Sequence, residues 1–304
     1  MPPTADWRSL YRFESHEIST AAGLRMHYLD EGRGPVLLLL HGNPTWSFYW
    51  REVVVAFRDR YRVVAPDHIG CGLSAKPRPE EYPYSLAQRV ADVNELIEQL
   101  DLQAITLVAH DWGGAIGMGA AGLAPERFAR FVLLSTAAFR STRCPLRIKL
   151  CRFPLLGWLG VQGLNLFARA ALRMAVADPK RLSPAVRAGL LAPYDNWHNR
   201  TAIYRFVRDI PLRPGHPSYP VLAEIEAGLE RFRNHPVCLI WGMRDWCFTP
   251  AFLDRFLDFF PAAEVHRIAD AGHYVVEEAP QEVVRCIDGF LETHPLSDAT
   301  RHAR

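Results

Sequence analysis

Apolar residues recur in short, nearly continuous runs that are separated by longer stretches with helical spacing. The run 35–41 (PVLLLLH) is almost wholly apolar, which is typical of a strand buried on both faces of a sheet. The same pattern predicts further strands at 62–66, 105–110, 131–135 and 237–241. Between them, apolar residues spaced by three and four positions predict helices at 46–57, 86–100, 113–124 and 251–260.

This alternation of strands and helices predicts an α/β fold, in which a mostly parallel sheet carries helices on both of its faces. The region 11–30 lacks helical spacing and indicates an antiparallel pair at one edge of the sheet, with 25–29 as its second strand. We find no internal repeat and no low-complexity segment. The 304 residues suit one large domain of this type, or one with a sizeable insertion.

The alternation stops after residue 135, and the chain up to about 215 has helical spacing interrupted by prolines. This part holds 14 lysines and arginines but only three acidic residues, so its charge of +11 contrasts with the net charge of +2 of the whole chain. We therefore predict a basic helical cap at 138–215. It is inserted into a core domain formed by residues 1–137 and 216–304.

The overall composition argues against several classes of protein. A net charge of +2 gives no reason to expect a nucleic-acid partner. The six cysteines are scattered without a CxxC pair, which indicates reduced thiols in a cytoplasmic protein. The sequence shows no signal peptide and no apolar run of the ~18 residues that a membrane span needs. It also shows no metal-ligand spacing and no phosphate-binding loop, so we expect no cofactor and no metal.

The segment 107–114 (LVAHDWGG) leads from an apolar strand through a tight turn into a helix. Ala109 and Gly113 flank this turn where a nucleophile elbow needs small residues. The central residue is Asp111, whose carboxylate can attack carbon and form an ester. The alternative, that Asp111 only caps the helix, does not explain the paired glycines. We predict that Asp111 is the catalytic nucleophile.

Two hydrogen-bond donors are expected beside this nucleophile. The loop 41–44 (HGNP) follows a predicted strand directly, where a scaffold of this kind forms part of an anion-stabilising site. Asn43 adds an amide there, and Trp112 adds an indole N–H, which can only donate. The structural alternatives are a turn residue for Asn43 and a core aromatic for Trp112. Because both coincide with the elbow, we predict that they hold an anionic leaving group.

The other catalytic residues follow later strands. Asp245 ends the segment 241–245 (WGMRD) directly after a buried strand, and His273 ends the segment 270–273 (DAGH). The chain order nucleophile, acid, base is that of the α/β-hydrolase fold. His273 is therefore the predicted base, and Asp245 is the acid that orients it. Asp270 competes for the acid role, but we favour Asp245 for its position after the strand.

At these residues the chain resembles the haloalkane dehalogenases over nearly its whole length. The segments HGNPTWSFYWR, HDWGG, WGMRD and AGHY are similar to that family's halide-binding, nucleophile, acid and base segments. The resemblance implies an α/β-hydrolase fold with an eight-stranded, mostly parallel sheet and a helical cap. It also implies hydrolytic dehalogenation, in which Asp111 forms an alkyl ester and Asn43 and Trp112 bind the departing halide. A water activated by His273 then cleaves the ester.

An aspartate acid combined with an asparagine donor resembles the third dehalogenase subfamily, and one branch of that subfamily matches further. The segments 66–74 (PDHIGCGLS) and 144–151 (CPLRIKLC) are similar to the β-lactone decarboxylases of bacterial olefin synthesis. That similarity implies an alternative function with the same catalytic residues, the conversion of a dialkyl β-lactone into a cis-olefin and carbon dioxide. It also implies work in an assembly with partner enzymes.

Epoxide hydrolases share the HGxP and HDWGG segments and hold the epoxide oxygen with two cap tyrosines. Tyr194, Tyr204 and Tyr219 are the candidates for that role here. Asn43 and Trp112 favour an anionic leaving group, so we place the epoxide function third. A non-catalytic binding protein on a hydrolase scaffold is a further class, but such proteins usually have a damaged triad, and every site position is filled here.

The basic cap has three interpretations: a solvated face, a docking face for an enzyme partner or a membrane surface, or a field that steers anionic substrates. Arg147, Lys149 and Arg152 alternate with apolar residues, which is typical of an amphipathic element. Apolar cap residues farther along either line a tunnel for the alkyl chains of a small apolar substrate or form the cap's own core. They are Leu155, Leu156, Trp158, Leu159, Leu164 and Phe167.

Overall fold

The computed structural model describes residues 6–296, in which eight strands form one sheet. The strands are β1 (His16–Ser19), β2 (Arg25–Glu31), β3 (Val36–Leu40), β4 (Arg62–Pro66), β5 (Ile105–Asp111), β6 (Phe128–Thr136), β7 (Val237–Gly242) and β8 (Glu264–Ile268). Their spatial order is β1-β2-β4-β3-β5-β6-β7-β8. β2 pairs antiparallel with β1 and β4, and all other pairs are parallel. The predicted eight-stranded, mostly parallel sheet is confirmed.

Twelve α-helices accompany the strands in the same range. They are α1 (Arg51–Phe57), α2 (Leu86–Gln99), α3 (Trp112–Leu123), α4 (Leu146–Cys151), α5 (Pro154–Gly157), α6 (Leu166–Met174), α7 (Pro184–Leu191), α8 (Thr201–Arg208), α9 (Ser218–Gly228), α10 (Pro250–Phe259), α11 (Val275–Glu278) and α12 (Pro280–Thr293). A π-helical turn at Trp158–Gly163 joins α5 to α6. None of the helices in the described part of the chain has the length and apolarity needed to cross a membrane.

Helices cover both faces of the sheet because its strands are apolar on both sides. Successive side chains of a strand point to opposite faces. Leu38 and Leu40 of β3 therefore pack with α2, α3, α9 and α10, whereas Leu37 and Leu39 pack with α1 and α12. All five residues of β3 are buried, which explains its continuous apolar run.

The chain between β6 and α9 is helical, as the sequence predicts. Two of its prolines begin helices rather than break them: Pro154 and Pro184 occupy first-turn positions, where the missing N–H costs nothing. α9 already packs against α2 and α3 of the sheet domain. The division into a cap at 138–215 and a core at 1–137 and 216–304 stays our proposal, and this packing of α9 supports it.

Candidate active site

Asp111 lies at the turn between β5 and α3 with backbone angles φ 52° and ψ −126°. This is a positive-φ conformation that residues with a side chain rarely adopt, and it is typical of strained functional turns. The turn depends on small neighbours: a Cβ at Gly113 would overlap the Leu40 carbonyl, and a Cβ at Gly114 would overlap Thr136. The elbow geometry thus explains the two glycines of the HDWGG segment.

Both carboxylate oxygens of Asp111 have a partner. Oδ1 accepts a hydrogen bond from the backbone N–H of Asn43 at 2.7 Å. Oδ2 lies 3.5 Å from Nε2 of His273. A Cβ at Gly42 would overlap the Asp111 side chain, so the HGNP loop must carry glycine there. The carboxylate is therefore buried and held in one orientation.

His273 is oriented from its other side by Asp245. Nδ1 of His273 lies 2.9 Å from Oδ2 of Asp245. The second oxygen of Asp245 accepts backbone hydrogen bonds from Cys247 at 2.6 Å and Phe248 at 3.0 Å. These bonds fix Asp245, and through it the ring of His273 presents Nε2 to the nucleophile.

Asp270, the competing acid candidate, lies outside this constellation. Its carboxylate is largely exposed and forms an ion pair with Arg181. Asp245, by contrast, is fully buried against the His273 ring. The structure therefore brings together three of the predicted residues, Asp111, Asp245 and His273.

The ion pair between Asp111 and His273 outweighs the cost of burying its two charges. Burial raises the pKa of the Asp111 carboxyl, but the hydrogen bond and positive charge of His273 leave that pKa below its ordinary value. Burial likewise lowers the pKa of His273, but the carboxylates of Asp245 and Asp111 raise it to about 10. At neutral pH the free enzyme thus holds an ionised Asp111 beside a protonated His273.

Neutralising Asp111 is expected to lower the pKa of His273, so that His273 loses its proton more readily. In Asp111→Asn one of the two carboxylates facing the ring is lost, while burial and Asp245 remain, so the pKa of His273 should fall from about 10. We expect His273 to bind its proton at least about tenfold more weakly in the variant than in the wild type, which corresponds to about 1.4 kcal/mol. Imidazole ¹⁵N NMR titration of wild type and variant measures it. An unchanged pKa would contradict the charge coupling.

Two residues that the sequence does not single out, His110 and Glu278, hold the loop of His273. Nε2 of His110 donates to the backbone carbonyl of His273 at 2.8 Å, and burial, reinforced by the His273 charge, lowers the pKa of His110 to about 3. Glu278 accepts from the backbone N–H groups of Gly272 and Ala177, both at 2.6 Å. The position of His110 before the nucleophile was one available signal, whereas Glu278 had none.

The two predicted donors lie beside Asp111 but differ in the contacts that their side chains make with the rest of the protein. Trp112 is partly buried, lines the pocket and packs on Phe206 with ring centroids 5.3 Å apart. The side-chain nitrogen of Asn43 donates to the backbone carbonyl of Ile203 at 3.2 Å, so one of its two N–H groups is already used. The other N–H makes no hydrogen bond within residues 6–296. Asn43 is thus partly a structural residue, which the sequence did not predict.

A cavity of about 470 Å³ opens over Asp111, Trp112 and His273. Its walls are mainly apolar and come from the helical segment as well as from the sheet domain. Phe167, one of the residues expected either in a tunnel or in the cap core, lines it. The expectation is wrong for four others, which are exposed and do not line it: Leu155, Trp158, Leu159 and Leu164. The side chain of residue 156 lies outside the described part of the structure.

The three tyrosines considered for an epoxide site do not line the cavity. Tyr194 donates to the carbonyl of Thr45 at 3.1 Å, and Tyr204 donates to the carbonyl of Pro154 at 3.2 Å. Tyr219 lies beside Arg140. None of the three is among the described residues that line the cavity.

One group of side chains with metal-binding chemistry occurs in the described residues, away from this cavity. Cys238, Glu264 and His266 lie together at β7 and β8, where Nε2 of His266 lies 2.6 Å from a carboxylate oxygen of Glu264. None of them lines the cavity. The cavity residues nearest to the nucleophile in sequence and in space, Asp111, Trp112 and His273, offer a carboxylate, an indole N–H and an imidazole.

Comparison with known proteins gives relatives along most of the chain. The family described as "alpha/beta hydrolase fold" matches residues 35–280. A cis-3-alkyl-4-alkyloxetan-2-one decarboxylase of Shewanella oneidensis is 42% identical over 95% of this chain and 92% of its own. Haloalkane dehalogenase 2 of Mycobacterium tuberculosis H37Rv is 33% identical, with coverages of 91% and 95%. The crystal structure of the haloalkane dehalogenase DatA from Agrobacterium tumefaciens C58 superposes with a TM-score of 0.82 at 26% identity, covering 92% of this chain and 96% of that one.

These matches confirm the predicted fold and the predicted resemblance. The family match spans the elbow, the acid and the base, and two kinds of named enzyme lie above 30% identity over nearly the full chain. The chain belongs to the α/β-hydrolase fold family, in the group that contains the haloalkane dehalogenases and the oxetan-2-one decarboxylases.

Proposed function

We propose that this enzyme works by the haloalkane dehalogenase type of mechanism, in which Asp111 attacks an sp³ carbon of a small apolar substrate and forms an alkyl ester. The observation that carries the proposal is the position of the Asp111 carboxylate. It lies in a strained elbow at the floor of an apolar cavity, 3.5 Å from Nε2 of His273. An ionised carboxylate in an apolar cavity is a competent carbon nucleophile.

In hydrolytic dehalogenation, the attack of Asp111 on the carbon–halogen bond expels halide. The indole N–H of Trp112 and the free N–H of Asn43 stabilise the departing anion, and losing such a donor typically costs ~10²–10³ in rate. Ester formation removes the negative charge of Asp111. His273 can then release its proton and act as the base that activates water, while Asp245 stabilises the ring when it is protonated again.

Ring-opening decarboxylation of a β-lactone is the second candidate, and for the natural substrate we favour it. The specific observation is the identity of 42% to an oxetan-2-one decarboxylase, compared with 33% to a dehalogenase. The cavity is also lined by Cys144, Ile148, Leu150 and Cys151 from the segment CPLRIKLC that carries the resemblance to those enzymes.

The same residues can perform this reaction in two balanced steps. Asp111 attacks the ring carbon that bears the lactone oxygen, the carbon–oxygen bond breaks, and Trp112 and Asn43 hold the carboxylate so formed. The bond to that carboxylate then breaks with loss of carbon dioxide, its electrons form the olefin, and Asp111 leaves as a carboxylate. Inversion in the first step places the Asp111 oxygen opposite the carboxylate. Anti fragmentation therefore gives the cis-olefin from a cis-lactone.

The two reactions differ in their use of water, which provides the test. We expect halide release from bromoalkanes of about four to ten carbons by the dehalogenase route, and olefin with carbon dioxide from a cis-dialkyl β-lactone by the second route. In H₂¹⁸O, dehalogenation labels the Asp111 carboxylate because water attacks the ester carbonyl, whereas decarboxylation leaves it unlabelled. Mass spectrometry of the peptide that contains Asp111 measures the label after several turnovers.

Asp111→Ala serves as the control with both substrates. Halide release with labelled Asp111 and no olefin would make dehalogenation the function and remove the lactone proposal. Olefin formation with unlabelled Asp111 would make the lactone the preferred substrate, with halide release as a side activity. Turnover that survives in Asp111→Ala would contradict the covalent mechanism for both.

A further inference from the structure

The helical segment between β6 and α9 exposes most of the protein's large apolar side chains. Ten of the fourteen large hydrophobic residues that are exposed in the described structure lie between residues 146 and 197. Leu146, Leu155 and Leu159 are exposed to 71%, 78% and 53%. Single exposed leucines are ordinary, but a concentration of this kind marks an interaction surface.

Six of these ten side chains define what we call the cap patch: Leu146, Leu150, Leu155, Trp158, Leu159 and Leu166. It lies on α4, α5, α6 and the π-helical turn, and these elements pack against one another in sequence. The patch therefore lies on elements that are neighbours both along the chain and in space.

The cap patch reaches the mouth of the active-site cavity. Leu150 and Leu166 are about half exposed and also line the cavity that contains Asp111. Met174, at the end of α6, likewise is exposed and lines the cavity. An apolar path thus leads from the outer surface of the protein to the nucleophile.

Exposed positive charges lie on or next to the elements that carry this apolar surface. Arg143, Arg147, Lys149, Arg169 and Arg173 are exposed, and none of them forms an ion pair within residues 6–296. The cap segment as a whole carries +11. Basic side chains that border exposed leucines and a tryptophan match the interface of an anionic bilayer, where headgroups take the charges and acyl chains take the apolar groups.

We propose that the cap patch docks on the surface of an anionic lipid bilayer and turns the cavity mouth toward the lipid. The proposal rests on the proposed function in one respect, since a substrate with alkyl chains would partition into the bilayer and enter the cavity from it. Charge and apolarity together favour lipid over a protein partner, because an apolar protein interface would not need so many unpaired cations at its border.

The test is co-sedimentation of the full-length protein with vesicles of phosphatidylglycerol and phosphatidylcholine, compared with vesicles of phosphatidylcholine alone. We expect binding to the anionic vesicles that weakens with salt. Leu146→Glu/Leu155→Glu should weaken it tenfold or more, whereas Leu123→Glu, a matched change at a 64% exposed leucine of α3, should leave it unchanged. Lys149→Gln/Arg173→Gln should weaken it about fivefold for each charge at low salt.

A second readout separates docking from the chemistry. None of the substituted residues lines the cavity, so turnover of a short bromoalkane in solution should stay unchanged, whereas turnover of a long-chain substrate held in anionic vesicles should fall with binding. No vesicle binding by the wild type, or equal loss in Leu123→Glu, would overturn the proposal and indicate a protein partner for the patch. Vesicle binding without any turnover would refute the proposed function and leave docking standing.

Discussion

Replacing Asp111 by alanine is expected to lower kcat by about 10⁵-fold on any substrate that the wild type turns over. Both proposed reactions begin with a bond from Asp111 to carbon, and Asp111 is the only carboxylate among the described residues that line the cavity. Asp245 is buried behind His273 and already accepts hydrogen bonds on both oxygens. Halide or olefin release with purified protein measures the effect.

A matched variant in the neighbouring loop separates this effect from a general loss of structure. Asp270→Ala also removes a carboxylate, but an exposed one whose ion-pair partner is Arg181. Exposed ion pairs contribute about 0–1 kcal/mol, so this variant should keep nearly full activity and stability. Equal loss in both variants would mean that Asp270 rather than Asp245 serves the histidine, or that the fold is damaged.

The sheet and the elbow could be predicted because each of them restricts the residue types that can occupy its positions. A strand buried on both faces must be apolar at every position, and β3 is. The turn at Asp111 tolerates only small neighbours, and the chain has glycine at both positions, Gly113 and Gly114. The choice of Asp245 over Asp270 followed from one fact, that the residue after a buried strand lies at the sheet edge, where the site forms.

Contacts between distant segments could not be predicted in this way. Glu278 fixes the His273 loop to Ala177, 101 residues away, and Asn43 donates to Ile203, 160 residues away. Nothing local distinguishes such a glutamate or carbonyl from a solvent-exposed one. For some cap leucines the expected burial itself was wrong. Helical spacing of apolar residues predicts burial, but α5 has only four residues and leaves Leu155 uncovered.

Replacing His273 by glutamine is expected to stop turnover of a haloalkane while leaving the first step intact. Attack by Asp111 needs its carboxylate and the donors Trp112 and Asn43, but no proton transfer. Hydrolysis of the ester needs a base, and loss of a general base costs about 10²–10⁴ in rate. With 1-bromohexane we expect one halide per active site and then a halt. Intact-protein mass spectrometry should show one hexyl group, located on the peptide that contains Asp111.

The same variant distinguishes the two substrates, because fragmentation of the lactone-derived ester consumes no water. A cis-dialkyl β-lactone should therefore leave no stable adduct on His273→Gln, and olefin should continue to form. The double variant Asp111→Ala/His273→Gln is the control and should show neither adduct nor product. If a haloalkane that the wild type hydrolyses leaves no adduct on His273→Gln, Asp111 is not a covalent nucleophile. His273 would then activate water for direct attack on the substrate, with Asp111 only orienting the imidazole from the opposite side to Asp245.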